Sequence, residues 1–210
     1  LYPLRNLCHI YFHKFQYLYA VPLYFFTTFN WILFDDYLKL VTKKICSTEI
    51  RPLKLRDHLE FWSGKIVNIT LFFIIPIFIF GFWQALLGFF VMHAALGLSL
   101  AFVFQMAHAV EEAEFPMPNE ANKIEDEWML HQVKTTVNFA MNNKMISWLV
   151  GGLNYQVEHH LYPKISHIHY PQISKIVQQT CNDLNIEYNA FPTFGKALMS
   201  HFRYLKSLGK

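Results

Sequence analysis

Between Ile66 and Val110 the chain carries no Asp, Glu, Lys or Arg, although charged positions recur on both sides of that run. One helix of that length would extend about 65 Å, roughly twice the hydrocarbon core of a bilayer, so the run must fold back once. Gly81, Phe82, Trp83 and Gln84 supply the break: a glycine, an interfacial aromatic and a polar amide amid apolar sequence. The pattern predicts two spans, about Ile66–Phe80 and Ala85–Phe104. Lys39, Lys43, Lys44, Arg51, Lys54, Arg56 and Lys65 precede the hairpin and its turn is uncharged, so the positive-inside rule puts both open ends on the cytosolic side.

A third apolar stretch, Tyr17 to Phe34, contains Pro22, Thr27, Thr28 and Asn30 and is heavy in Tyr and Phe. An interfacial helix or re-entrant segment suits that mixture as well as a span does. After Val110 comes an acidic connection (Glu111, Glu112, Glu114, Glu120, Glu125, Asp126, Glu127) broken by Pro116 and Pro118. Helices are expected over Trp128 to Asn142, from Pro171 onward with Ile173, Ile176, Val177 and Leu184 as its apolar positions, and over Phe194 to Leu208. The last sets Leu198, Phe202 and Leu205 against Lys196, Arg203 and Lys206, the pattern of a membrane-surface or partner-facing helix. No strand pattern stands out. The expected class is therefore all-α: an integral membrane helical protein with a transmembrane hairpin and a cytosolic helical cap over residues 105–210.

Composition sharpens this picture. Hydrophobic residues make up 53% of the 210 positions and charged residues 16%, which excludes a disordered chain; a net charge of +3 does not make a nucleic-acid surface. Cys8, Cys46 and Cys181 are odd in number, far apart and without a C-x-x-C, so reduced thiols are expected. The chain opens on Leu1 without a signal-peptide pattern, and is expected to be a piece of something longer.

The chemistry lies in the eleven histidines. In one helical turn Gln156, His159 and His160 stand at i, i+3 and i+4 and share a face, giving two imidazoles and an amide as a partial metal shell. A surface pair of histidines near a membrane has the same spacing. His108 sits where the uncharged run ends, with Glu111 and Glu112 one turn on and able to orient an imidazole; an interfacial His would also sit there. His93 lies about 22 Å along the helix from His108 and is expected to pack against a polar neighbour. His167 and His169, beyond Pro163, are read as surface or supporting positions. His58, His131 and His201 have no ligand-like spacing.

The segment Gly152-Leu-Asn-Tyr-Gln-Val-Glu-His-His-Leu-Tyr-Pro163 resembles the third histidine box of membrane fatty acid desaturases, in the Q-x-x-H-H form of front-end and linoleoyl-type acyl desaturases. Phe104-Gln-Met-Ala-His108 with Glu111 and Phe115-Pro116 is similar to the segment that closes the family's fourth transmembrane helix. Trp128, Gln132, Thr136 and Asn138 match the helix leading to the third box, and Ile186-Glu-Tyr188 with the last helix matches the usual end of the chain. The family's two earlier boxes, H-x-x-x-H and H-x-x-H-H, are absent: His9 and His13 have the i, i+4 spacing of the first, but they fall in a stretch similar to the one after the second box and are rejected as ligands. The resemblance is thus to the C-terminal half.

It implies a non-haem centre of two iron ions in the intact parent, with His108, His159 and His160 as ligands, and Gln156 nearby with its role open. Gln105, Asn154, Glu111, Glu112 and Glu158 are supporting positions. It also implies a fatty acyl substrate (acyl-CoA or acyl-lipid), a cytosolic electron donor such as a ferredoxin or cytochrome, and a double bond made with oxygen and two electrons. A membrane-bound lipid hydroxylase, a sphingolipid desaturase and, from another class, a zinc-binding membrane receptor stay open as alternatives. Residues 1–210 alone are expected to enter membranes and form no product. If the absent boxes meet these ligands on the cytosolic face, residues 1–108 cross the membrane an even number of times, so Tyr17–Phe34 should not span. Cysteine-accessibility mapping in the longer protein should then place positions 14 and 43 on one side; opposite sides would overturn this topology.

Overall fold

The computed structural model describes residues 11–45, 48–119 and 123–209, and Cys8, Cys46, His9 and Glu120 lie outside them. The chain is mostly helical and divides into two compact units, one formed by residues 1–20 and 102–210, the other by 21–101.

In the unit of residues 21–101, helix α1 (Gln16–Phe25, which begins in the other unit and contains Pro22) gives way to α2 (Thr27–Asn30), a π turn over Trp31–Asp35 and α3 (Asp36–Thr42). The segments His13–Phe25 and Thr27–Thr42 meet at 59°, so the aromatic stretch forms a bent pair of helices. Lys43, left-handed at φ 54°, ends α3, and a two-residue antiparallel pair follows, β1 (Lys44–Ile45) with β2 (Thr48–Glu49). Helix α4 (Leu55–Ile69) starts where the Asp57 carboxylate accepts from Lys54 N–H at 2.7 Å, and runs through a π turn at Thr70–Ile74 into α5 (Ile75–Phe80). Gly81, at φ 90°, breaks the path, and α6 (Phe82–His108) runs back. A positive φ of this kind favours glycine, and here it marks the turn of the hairpin.

Leu55–Phe80 and Phe82–His108 span 26 and 27 residues, and each is long and apolar enough to cross a membrane. Both helices outrun the apolar limits expected from sequence. The charged turns at Arg56–Lys65 continue the first, and the second resumes at Phe82 rather than Ala85 because a single residue suffices for the break. None of the first helix's apolar window is buried within the protein.

Small residues let α6 approach its neighbour. A Cβ on Gly97 would lie 2.7 Å from the Tyr24 carbonyl oxygen and 3.1 Å from that of Phe25. Close by, Thr28 donates to the His93 carbonyl at 2.7 Å, the His93 ring nitrogen Nδ1 stands 3.4 Å from the Thr28 hydroxyl, and the rings of Phe29 and Phe89 flank the imidazole. His93 is thus packed against a polar neighbour. Lys65 reaches the Asp36 carboxylate at 2.6 Å and the Ile32 carbonyl at 3.2 Å.

The other unit contains α7 (Trp128–Thr135), β3 (Asn138–Phe139), α8 (Lys144–Leu149), α9 (Gln156–Leu161), α10 (Tyr170–Asp183), β4 (Ala190–Phe191) and α11 (Phe194–Ser207). The helix expected over Trp128 to Asn142 stops at Thr135. Thr136 is extended, β3 pairs in parallel with β4, and Ala140 turns the chain at φ 48°. The β-branched run Thr135-Thr136-Val137 favours that exit. The strands among the described residues are two residues each, too short to leave a pattern in the sequence, and the class is all-α as expected.

Two apolar clusters fill this unit. Met106, Ala107 and Val110 pack with Val137, Phe139, Phe191 and Ala197; Val133, Val157 and Leu161 pack with Val177 and Cys181. The buried face of α10 is Tyr170, Ser174, Val177 and Cys181, while the apolar Ile176 and Leu184 are exposed. Helix α11 buries Ala197, Ser200 and His201 and leaves Lys196, Arg203 and Lys206 outside.

Gly97→Ala should force backbone apart and lower stability by about 1–3 kcal/mol. Gly88→Ala on the same helix, with nothing within 4 Å of its Cβ, should not. Thermal unfolding of the two variants in detergent makes the comparison.

Candidate metal centre

Two stretches of the chain bring three histidines together. His108 is the last residue of α6, whose end is fastened on two sides: Val137 N–H donates to the Ala107 carbonyl at 2.9 Å, and His201 Nδ1 lies 2.7 Å from the Ala109 carbonyl. That carbonyl can only accept, so His201 is a donor there.

His159 and His160 ride on α9, which follows a tight loop. Gly152 sits at φ 77°, and a Cβ on it would lie 2.6 Å from His167 Cβ. The loop is fixed by Gly152 N–H to the Ser147 carbonyl at 2.8 Å and by buried Asn154, whose amide donates to Ser147 Oγ at 2.9 Å. The first turn of α9 has no cap from its own N-terminal neighbour, and Asn138 Oδ1 accepts Val157 N–H at 2.9 Å instead.

Across this frame the His108 and His160 rings lie 5.0 Å apart between centroids, and those of His159 and His160 5.9 Å. Each imidazole has an oxygen at its Nδ1: Thr135 carbonyl for His108 (3.5 Å), Tyr170 hydroxyl for His159 (3.2 Å) and Gln132 Oε1 for His160 (2.8 Å). An acceptor-only oxygen at Nδ1 holds the proton there and leaves the lone pair on Nε2, the arrangement of a metal-binding histidine. Thr135 and Gln132 set this for two rings; the Tyr170 hydroxyl can donate or accept. Gln156 Nε2 lies 3.2 Å from His108 Nε2, so its amide donates into that lone pair. Burial, reinforced by His108 and His159, pushes His160 down to about 4, which keeps it neutral at physiological pH.

The acidic candidates lie elsewhere. Glu112 accepts from Ser200 Oγ, and Ser200 also accepts Glu111 N–H at 3.0 Å, so these residues fasten α11 rather than orient His108. Glu158 is fully buried and accepts from Asn138 Nδ2 and Tyr188 Oη, both at 2.7 Å. Burial raises its pKa against these two bonds. Gln105 is half-buried one turn before His108. His13 bonds Tyr19 Oη at 3.1 Å.

No group of three or more His, Cys, Asp or Glu among the described residues is gathered closely enough to hold a metal as it stands. The donor chemistry suits iron or another imidazole-binding metal, but three nitrogens are a share of what two irons require. Sequence reasoning noted Gln132 without giving it a contact, and missed Thr135 and Tyr170. The i, i+3 spacing of Gln132 and Thr135 was the one available signal.

A family model for fatty acid desaturase matches residues 3–192. The chain belongs to the fatty acid desaturase family. Similar relatives of this desaturase chain are the sn-1 linoleoyl-lipid 6-desaturases of Synechocystis sp. (37% identical, covering 96% of this chain and 57% of the relative) and Arthrospira platensis (36%, covering 94% and 54%). An acyl-lipid (8-3)-desaturase of Physcomitrium patens is 35% identical, covering 94% and 42%. The chain thus spans about half the length of the curated relatives it matches. No solved structure matches it.

His201 gives this desaturase unit a pH dependence. Burial lowers its pKa from 6.5, partly offset by the Ala109 carbonyl. The unfolded chain therefore takes up the proton more readily, and stability falls as pH drops below about 6.5. Unfolding temperatures in detergent should fall between pH 7.5 and 5.5, and His201→Gln should shrink that fall.

Proposed function

We propose that these residues form the C-terminal, ligand-bearing part of an acyl desaturase that introduces a double bond into a fatty acyl chain, with His108, His159 and His160 contributing nitrogens to a non-haem diiron centre. The observation that carries this reading is that all three Nδ1 atoms are engaged by oxygens from α7 and α10, with the acceptor-only oxygens of Thr135 and Gln132 leaving Nε2 of His108 and His160 open to a metal. Bound iron would supply the oxidising power, with oxygen and two electrons, to take hydrogens from unactivated methylenes.

The protein's own residues hold the imidazoles in place. Gln132 and Thr135 keep protons on Nδ1, burial keeps His160 uncharged, and the Gln156 amide occupies the His108 lone pair that would serve a metal. The names of the relatives support an acyl-lipid as substrate; the two electrons would come from a cytosolic donor such as a ferredoxin or cytochrome. The activity is that of the longer protein, whose first two histidine boxes would complete the ligand set; residues 1–210 alone would form no product. The two long apolar helices support an integral membrane protein, with the histidine cluster on the cytosolic face where the basic flanks lie.

In the full-length protein, His159→Ala, His160→Ala or His108→Ala should abolish desaturation, because each removes an iron ligand. His169→Ala, on an exposed segment, should stay within a few-fold of wild type. Product analysis by gas chromatography after expression in a host lacking the product decides it; full activity in a ligand variant would remove that residue from the site.

A further inference from the structure

Helix α9 has six residues and no side-chain cap from Tyr155, the residue before it. Its free N–H groups face a protein interior where water cannot satisfy them. One side chain from β3, eighteen residues upstream of Gln156, meets this need. Asn138 is fully buried; its Oδ1 accepts Val157 N–H at 2.9 Å while its Nδ2 donates to Glu158 Oε2 at 2.7 Å. A single amide therefore grips two consecutive residues of the first turn.

The grip is directional. Its acceptor end needs a donor and its donor end needs an acceptor, so only one rotation of α9 satisfies both. An apolar pair of the same volume would fill the space and leave the helix free to turn. Asn138 is itself held by the sheet, its N–H donating to the Asn189 carbonyl at 3.1 Å while Phe139 N–H donates to the Asn154 carbonyl at 3.1 Å. Tyr188, just before β4, closes the ring with its hydroxyl at Glu158 Oε1 and at Asn138 Nδ2. The residues on either side of the gripped pair are Gln156 and His159-His160. A rotation by one residue would carry those side chains about 100° around the helix, whereas metal–ligand distances tolerate only about 0.2 Å.

We infer that Asn138 is a positioning residue for the metal centre: by pairing with Val157 N–H and the Glu158 carboxylate it fixes the rotation of α9 and thereby the aim of His159 and His160. This rests on the proposed metal-binding role of those histidines.

The test is a polarity swap in the purified full-length protein, read as iron retained per chain against a competing chelator and as the optical spectrum of the iron-loaded protein. Asn138→Asp keeps the acceptor for Val157 N–H but sets a second carboxylate against Glu158. It should weaken iron retention about ten-fold or more, the usual effect of disturbing a residue behind a metal ligand. Adding Glu158→Gln to Asn138→Asp turns donor and acceptor around and should recover much of the lost iron and the native spectrum. Unchanged iron in Asn138→Asp, or a paired variant no better than the single one, would overturn the inference. Should the single variant fail to fold, recovery of folding and iron in the paired variant still decides. His160→Ala separates the two levels: if it keeps wild-type iron, the ligand assignment falls; if it loses iron while Asn138→Asp does not, only the positioning role falls.

Discussion

A helix of six residues does not persist by itself, because closing its first turn costs more conformational freedom than its few hydrogen bonds return. Helix α9, which carries His159 and His160, exists only because the unit around it supplies what it lacks. Val157 and Leu161 enter an apolar cluster with Val133 and Val177, and buried Asn138 and half-buried Tyr188 meet Glu158 with their polar groups. The apolar contacts set the depth of the helix, and the polar ones set its rotation. The short parallel strands matter for the same reason, since they hold Asn138 between the two clusters.

A parallel logic governs His108. A helix end leaves carbonyls without intrahelical partners, and here two of them are met by residues distant in the chain: Ala107 by Val137 N–H and Ala109 by His201. Ser200 adds its bonds to Glu111 and Glu112. The last helix thus acts as a clamp on the end of α6. Its basic outer face led the sequence reading toward a surface role, whereas its inner face of Ala197, Ser200 and His201 is among the most buried in the unit.

What could be read from sequence follows from what is local. The uncharged run, its break at glycine and the Gln156, His159, His160 spacing are properties of consecutive residues, and periodicity reports them. The end of α7 at Thr135, the burial of His201 and the turning of Glu112 toward Ser200 depend on partners as many as 92 residues away. The exposed Ile176 and Leu184 illustrate the same limit: their spacing is helical, but Ser174 and Cys181 take the inner face because Tyr188, Met141 and Val157 stand opposite. The oxygens behind the three imidazoles come from two other helices, and only Gln132 had been singled out beforehand.

The connection at Gly81 has an energetic corollary. From Ile66 through Val110 no residue carries a formal charge, and the reversal between the two long helices is made by one glycine in a backbone conformation other residues disfavour. A lysine, arginine or aspartate at the centre of a membrane helix costs about 2.5–3.5 kcal/mol to insert. A bilayer that takes up both helices as a pair carries no ion through its interior and must accommodate only a tight, uncharged bend at the far side. Were the pair to enter as one piece, every lysine and arginine of its flanks would remain on the side from which it started.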